Sequence, residues 1–511
     1  MNHISGIDRD QIQMLCIDQM VAPKSMVRVI DAFVDMLDLK TFDFSYFKLN
    51  KEGRPPFHPA VFLKMYLYGY QNEIRSSRKL QKACTINLEM IWLTKGRTPH
   101  YKTIANFRKD NHKAFKSVFR HFVALLKDWN LVDGKTIGID SFKSRAQNSL
   151  KNNFNDRKIN KHLAYIDAKI QEYEAKLEQE DSPEIKQKIN KQKNKKAHYI
   201  KAKELLKDSG QEQVSITDPD ARAMVFSRNS VRIGYNVQAV SDAKNKLLIA
   251  ANTGDVNDSK ALADMTKRAI KNIGSVENVL ADKGYHSGRE IKATQELGVN
   301  TFISPKESSS SKKNLKYAME SFTYNEMDDS YTCPANQTMD TNGKSYFKKL
   351  KNTRASYHVK HYKTKACKTC SIRNLCTSNK VGRIIERTEY AQYVQQNNNR
   401  VNENPEYYRI RQQIIEHQFG TLKRHWGFDY LLTKGKQKVM GEVYIAFTVY
   451  NLKRISSIFN FDTLMDKLKS IKHYVSLVLM ALFHLKTPVL SHCNFFWNIL
   501  LFNKNKSIIS I

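Results

Sequence analysis

The stretch YYRIRQQIIEHQFGTLKR, from Tyr407 to Arg424, decides how the rest of the chain is interpreted. Its apolar residues recur at spacings of three and four, which predicts one amphipathic helix. Arg409, Glu416 and Lys423 are seven residues apart, so we expect them on one face of that helix. An acid flanked by these cations and by Arg411 could hold a metal ion and a phosphate together. Since one carboxylate cannot hold two divalent ions, further acids must come from elsewhere in the chain.

The overall composition points to a nucleic-acid partner. The chain has 511 residues and a net charge of +34, with 41% hydrophobic residues. This length predicts two to four domains. Because lysine and arginine are spread over most of the chain, we expect binding to a polyphosphate such as DNA. The alternative is a basic surface that only faces solvent.

No membrane segment or signal peptide is expected. The start, MNHISGIDRDQIQ, is polar. The apolar runs at 474–483 and 495–502 are too short to span a bilayer. We interpret residues 458–511 as an apolar tail of uncertain structure.

Residues 1–130 have the apolar spacing of helices throughout. Short helices that begin next to cations, as at Ser76 and Thr103, suit contacts with the DNA backbone. The N-terminal domain is therefore predicted to be all-helical and to bind DNA. A plain helical bundle with a basic surface is the alternative.

Two acids follow predicted strands in the middle of the chain. The first strand, TIGID, is predicted to end at Asp140, although an Asp here could also cap a turn. Another short buried strand ends just before Asp282. Between them, the segment Asn257–Ser259 is interpreted as a helix cap. From 131 to 150 and from 211 to 305 the order is three strands, helix, strand, helix, strand, which predicts an α/β core completed by residues 401–457. Glu442 lies on a later apolar helix, where we expect it to be structural or to support the residues of the site from behind.

Two insertions interrupt this core. Residues 151–210 carry a heptad pattern broken at Asp181-Ser182-Pro183, which predicts a helical hairpin. The hairpin could lie along DNA, mediate self-association or act as a spacer. Residues 306–400 contain a cluster of four cysteines, two of them in a C-x2-C pair typical of zinc ligands. The cluster consists of Cys333, Cys367, Cys370 and Cys376, with His358 and His361 as substitutes. Unrelated free thiols are the alternative.

Several of these segments together resemble one known family. They are PPFHPAVFLKMYLYGY, IGIDSFKSRAQNS, TDPDARAM, GYNVQAV, VLADKGYHS, CKTCSIRNLC, EHQFGTLKRHWG and YNLKR. This combination, over residues 20–455, resembles the DDE transposases of insertion sequences, of the IS1182 type within the IS4/IS5-like group. The chain departs from the related tyrosine-arginine-glutamate-lysine signature, because Gln412 stands four residues before Glu416 where the signature has arginine.

The resemblance implies a fold, a site and an activity. The fold would be an RNase H-like core, a mixed sheet flanked by helices, with a zinc-ribbon-like Cys-rich insertion. Asp140, Asp282 and Glu416 would hold two Mg2+ or Mn2+ ions, and the cysteines one structural Zn2+. Lys423, Arg411 and Arg409 would contact phosphate. Tyr285 and His286 would contact a displaced base, or instead pack the turn in which they lie.

The implied activity is metal-dependent cleavage of DNA at the terminal inverted repeats, followed by strand transfer into target DNA. The protein would act as a homodimer or larger assembly on DNA, in the bacterial cytoplasm at the nucleoid. Two alternatives remain open. One is a nuclease without strand transfer, and the other is a decayed or domesticated protein that binds DNA without cutting it.

Overall fold

A computed structural model describes most of the chain. The described residues are 10–12, 14, 16–45, 55–210, 212–226, 229–305, 315–349 and 356–471. The predicted apolar runs at 474–483 and 495–502 lie outside them.

Six helices form the N-terminal part of the described chain. They begin at capping residues: the Ser25 side chain accepts a hydrogen bond from Val27 N, and the Ser76 side chain accepts one from Lys79 N. Pro59 occupies the first position of its helix, where its missing N–H costs nothing. The helices are α1 (Met26–Met36), α2 (Pro59–Gln71), α3 (Ser77–Ile86), α4 (Leu88–Thr94), α5 (Tyr101–Asp110) and α6 (His112–Asp128).

A six-stranded sheet follows, interrupted by a helical hairpin. In chain order the first half of this region contains β1 (Thr136–Arg145), β2 (Asn153–Phe154), α7 (Asp156–Gln179), α8 (Pro183–Ser209), β3 (Val214–Ser215), β4 (Arg222–Val225), β5 (Val231–Asp242) and β6 (Leu248–Gly254), of which β2 and β3 are not part of the six-stranded sheet. The second half contains α9 (Leu262–Ile273), β7 (Asn278–Ala281), α10 (Gly288–Gln295) and β8 (Asn300–Ile303). The short strands β2 and β3 pair with each other at the base of the hairpin.

The strand order of the sheet places β1 at its centre. The order is β4-β5-β1-β7-β8, and β6 also pairs with β5. β1 is antiparallel to β5 and parallel to β7. The buried apolar residues of this sheet and of the N-terminal helices belong to one continuous core. The fold is thus mixed α/β.

β1 is longer than the sequence predicts. It was expected to end at Asp140, but it continues to Arg145. The reason is that β5 offers a pairing partner along this whole length, from Ile137 opposite Asp242 to Arg145 opposite Gly234. Asp140 therefore lies in mid-strand and not at a strand end.

A second sheet occupies the Cys-rich region. It contains β9 (Thr323–Asn325), β10 (Ser330–Thr332), β11 (Thr338–Lys349), β12 (Ser356–Lys363), α11 (Arg373–Cys376) and β13 (Ile385–Thr388). All neighbouring strands in it are antiparallel. Its small core is separate from the main one.

The C-terminal helices return to the main sheet. They are α12 (Ala391–Glu403), α13 (Pro405–Gly420), α14 (Lys436–Ile458) and α15 (461–471). α14 is buried over most of its length and packs against α2, α6 and β6. This helix therefore joins the N-terminal helices to the sheet.

The predicted single helix from Tyr407 to Arg424 is in fact divided. α13 ends at Gly420, and Thr421–His425 form a turn of π-helix. The wider π turn changes the angular spacing of side chains. Glu416 and Lys423 consequently lie on different elements.

Candidate active site

Asp140 is the central acid of the candidate site. Its side chain is 19% exposed, and its Oδ1 accepts a hydrogen bond from Ser141 N at 2.7 Å. The pKa of Asp140 is raised to about 7, mainly by burial. The negative charges of Asp282 and Asp258 contribute to this rise, and the hydrogen bond from Ser141 N and the charge of Arg411 oppose it. A carboxyl group in this setting gains strongly from a nearby cation.

Asp282 lies beside Asp140 on the neighbouring strand. The β1–β7 register ends with Ile139 opposite Ala281, so Asp140 on β1 and Asp282 just beyond β7 are the next residues along the two parallel segments. Asp282 directly follows β7, as predicted, and its Oδ1 accepts a hydrogen bond from Gly284 N at 2.8 Å.

Glu416 approaches from α13, which packs on β1 at Gly138. A Cβ atom at Gly138 would lie 2.9 Å from Cγ2 of Ile414. The absence of a side chain there lets the helix sit close to the strand. Arg411 lies between the acids, with its guanidinium 3.6 Å from Asp140 Oδ2 and 3.4 Å from Glu416 Oε1. Glu416 itself is 51% exposed, so a substrate can reach it.

Asp258 is a fourth acid in this region that the sequence interpretation missed. It was assigned to a helix cap, but it begins a short 3-10 turn that precedes α9. Its charge acts on both Asp140 and Tyr285. The signal in the sequence was an acid shortly after the third core strand, four residues beyond the last residue of β6, Gly254.

The predicted phosphate-binding cations divide into two groups. Arg411 lies within the site. Arg409 is 72% exposed and forms an ion pair with Glu406 instead. Burial lowers the pKa of Lys423, and the positive charges of Arg424 and Lys143 lower it further against Asp429.

Tyr285 is fully buried in the main core, and its hydroxyl group donates a hydrogen bond to Gln238 Oε1. The structure thus favours packing of the turn over base contact for this residue. His286 is half-buried at the end of the same turn.

The four cysteines of the insertion line one cavity of about 30 Å³. Burial raises the pKa of the Cys376 thiol, and the charges of the other three cysteines act in the same direction. Cys333, Cys367, Cys370 and Cys376 are therefore close neighbours. None of the four forms a disulfide.

As placed, the described residues contain no group of three or more His, Cys, Asp or Glu side chains that could hold a metal ion. The chemistry of the acidic donors nevertheless fits a divalent cation, because Mg2+ and Mn2+ prefer carboxylate oxygens. The desolvated carboxyl group of Asp140, next to two further acids, is where such a cation would be most stabilising.

Glu442 is not part of the site. It is fully buried on α14 and forms an ion pair with Arg75 at 2.9 Å. None of the helices in the described ranges has the length and apolar character needed to cross a membrane.

Comparison with known proteins identifies two segments. Residues 15–110 match the family described as a transposase domain (DUF772). Residues 332–456 match the family described as a transposase DDE domain. The second match includes Glu416 and Lys423 and begins after Asp140 and Asp282. No curated protein matches the chain.

Among solved structures, the piggyBac transposase synaptic complex with hairpin DNA is similar over 94% of this chain and 85% of that chain, at 10% identity. Its TM-score of 0.30 is too low to define a shared fold. The chain is therefore similar to transposase domains over two segments, and the second of these is similar to a DDE domain.

Proposed function

We propose that this protein is a DDE transposase of the IS1182 type that binds the ends of its insertion sequence, cleaves them and transfers them to target DNA. The observation that carries the proposal is the placement of Arg411 between Asp140 and Glu416, with Asp282 directly after the strand that pairs with β1. The three acids come from three elements far apart in the chain, and Arg411 contacts two of them. The strand order around β1 supports an RNase H-like core.

The carboxylates of Asp140, Asp282 and Glu416 would hold the divalent cations. When bound, Mg2+ or Mn2+ supplies charge stabilisation to phosphate oxygens and activates an attacking hydroxyl group. Arg411 orients Asp140 and Glu416 from the side of the helix and presents guanidinium N–H groups to a phosphate. Lys423 adds a cation on the turn that follows, where burial is the main cause of its lowered pKa.

The remaining segments would bind and position DNA. The net charge of +34 favours a long contact with phosphates. We assign residues 1–130 to end recognition and the hairpin at 151–210 to backbone contact. We assign 131–150, 211–305 and 401–457 to the catalytic core, and 306–400 to a zinc-stabilised insertion. A dimer or larger assembly would be needed to bring two ends together.

The test uses labelled DNA that carries the element's own end, with Mg2+ or Mn2+. The unmodified protein should nick it, and Asp282→Asn should bind but not nick. Asp255→Asn is a matched control, since Asp255 is 66% exposed and pairs with Lys260 outside the site. Nicking that survives in Asp282→Asn would remove this acid from the site.

A second substrate, a pre-cleaved end with a free 3′-hydroxyl, separates the related functions. Joined products support a transposase. Nicking without joining would indicate a nuclease. DNA binding without any cleavage by the unmodified protein would indicate a decayed or domesticated DNA-binding protein.

A further inference from the structure

Asp258 lies where β6 leads towards α9, facing the turn that carries Asp282. We propose that Asp258 is a fourth carboxylate of the acidic site and binds the divalent cation together with Asp282. This inference rests on the proposed function, because it concerns the same site.

The Asp258 side chain is held in one orientation by the neighbouring strand. Its Oδ1 accepts hydrogen bonds from Asn236 Nδ2 at 2.8 Å and from Gln238 Nε2 at 2.5 Å. Both donors lie on β5 and are buried. Gln238 in turn accepts a hydrogen bond from Tyr285, which lies in the same turn as Asp282. These buried hydrogen bonds thereby link Asp258 to the turn that carries Asp282.

The other oxygen of Asp258 faces Asp282. A Cβ atom at Gly284 would lie 2.9 Å from Asp282 Oδ1 and 3.6 Å from Asp258 Oδ2. Two carboxylate oxygens from different elements thus lie around one point, and only the absence of a side chain at Gly284 leaves that point open.

A second observation in the same place indicates a ligand. Asn236 is 1% exposed, and within the described chain its Oδ1 has no hydrogen-bond partner. A buried carbonyl oxygen without a partner is costly. Carbonyl oxygen is also an accepted ligand of hard cations, directly or through their water.

The charges around Asp258 are not balanced by the protein. Among the residues that the structure describes, no lysine or arginine forms an ion pair with Asp258 or Asp282, and Arg411 lies 3.6 Å from Asp140. Like charges gathered in a partly desolvated site destabilise one another. A divalent cation among them removes this repulsion.

The test is Mn2+ binding by isothermal titration calorimetry, with Mn2+ alone and no DNA. Asp258→Asn is informative because the asparagine Oδ1 still accepts from Asn236 and Gln238. Only the charge and the Oδ2 atom that faces Asp282 are lost. We expect affinity to fall by about tenfold or more, since even indirect partners of a metal contribute about 10–100-fold. Asp255→Asn, on the same loop, should leave the Mn2+ affinity unchanged.

Asp282→Asn distinguishes failure of this inference from failure of the proposed function. If Asp282→Asn weakens Mn2+ binding and Asp258→Asn does not, Asp258 is not a ligand and the proposed function stands. If neither substitution weakens Mn2+ binding, or if the unmodified protein does not bind Mn2+, both this inference and the proposed function are overturned.

If circular dichroism shows that Asp258→Asn does not fold, Asp258→Glu replaces it. This variant keeps the charge but moves the carboxylate by one methylene group. Weaker Mn2+ binding than in Asp255→Glu supports the inference, and equal binding overturns it.

Discussion

Replacing Glu442 by glutamine should strongly destabilise the fold. Its ion pair with Arg75 joins the N-terminal helices to α14, and the two side chains are 0% and 3% exposed. Glu442 also accepts hydrogen bonds from Leu432 N at 3.0 Å and from Thr433 N at 3.2 Å. Because Glu442→Gln leaves the buried guanidinium uncompensated, the free energy of unfolding should fall by about 3–5 kcal/mol. The glutamine side chain keeps one oxygen that can accept hydrogen bonds. We therefore expect a loss of unfolding free energy near the lower end of this range.

The assay is urea unfolding followed by tryptophan fluorescence, with Asp462→Asn as the control. Asp462 pairs with Lys24 at 2.9 Å and so also connects the two ends of the described chain, but both side chains are about 70% exposed. Exposed pairs contribute at most about 1 kcal/mol. A loss in Glu442→Gln no larger than that of the control would refute our view of the buried pair.

The effect should depend on pH. Burial alone would raise the pKa of Glu442, but Arg108, Arg75 and the hydrogen bonds hold it below its usual value. Its stabilisation is therefore present above the unfolded pKa of about 4.3 and is lost as the pH falls through the folded pKa. The difference in the free energy of unfolding between the unmodified protein and Glu442→Gln should become smaller below about pH 4.3. A difference that stays constant with pH would argue against an ionised Glu442.

Three further changes test the site and the insertion. Arg411→Gln should reduce metal-dependent nicking by more than Arg409→Gln, because only the former cation contacts the acids; equal losses would contradict this. Gly138→Ala should push α13 away from β1, lowering both nicking and stability, the latter by about 1–3 kcal/mol. Gly420→Ala on the same helix should lower neither nicking nor stability, since a Cβ atom there meets nothing within 4 Å. Atomic spectrometry of the purified protein should find zinc that is lost in Cys367→Ser, and protein without zinc would favour free thiols.

Much of the architecture follows from local sequence patterns. Apolar spacing of three and four predicts the helix that carries Glu416, and the short apolar run before Asp282 predicts β7. These predictions succeed because helix and strand periodicity is set by which faces of a segment must be buried. They need no knowledge of the partner that buries each face.

The composition of the site depended instead on contacts between segments. Asp140 lies in mid-strand because β5 continues to pair beyond it. Arg411 contacts the acids and Arg409 does not, since the packing of α13 at Gly138 fixes which face of the helix points to β1. Asp258 joins the site through buried partners on β5 and through the open space at Gly284. The sequence alone thus predicted most of the elements and three of the four acids, whereas the distances between these acids arise only from packing between residues far apart in the chain.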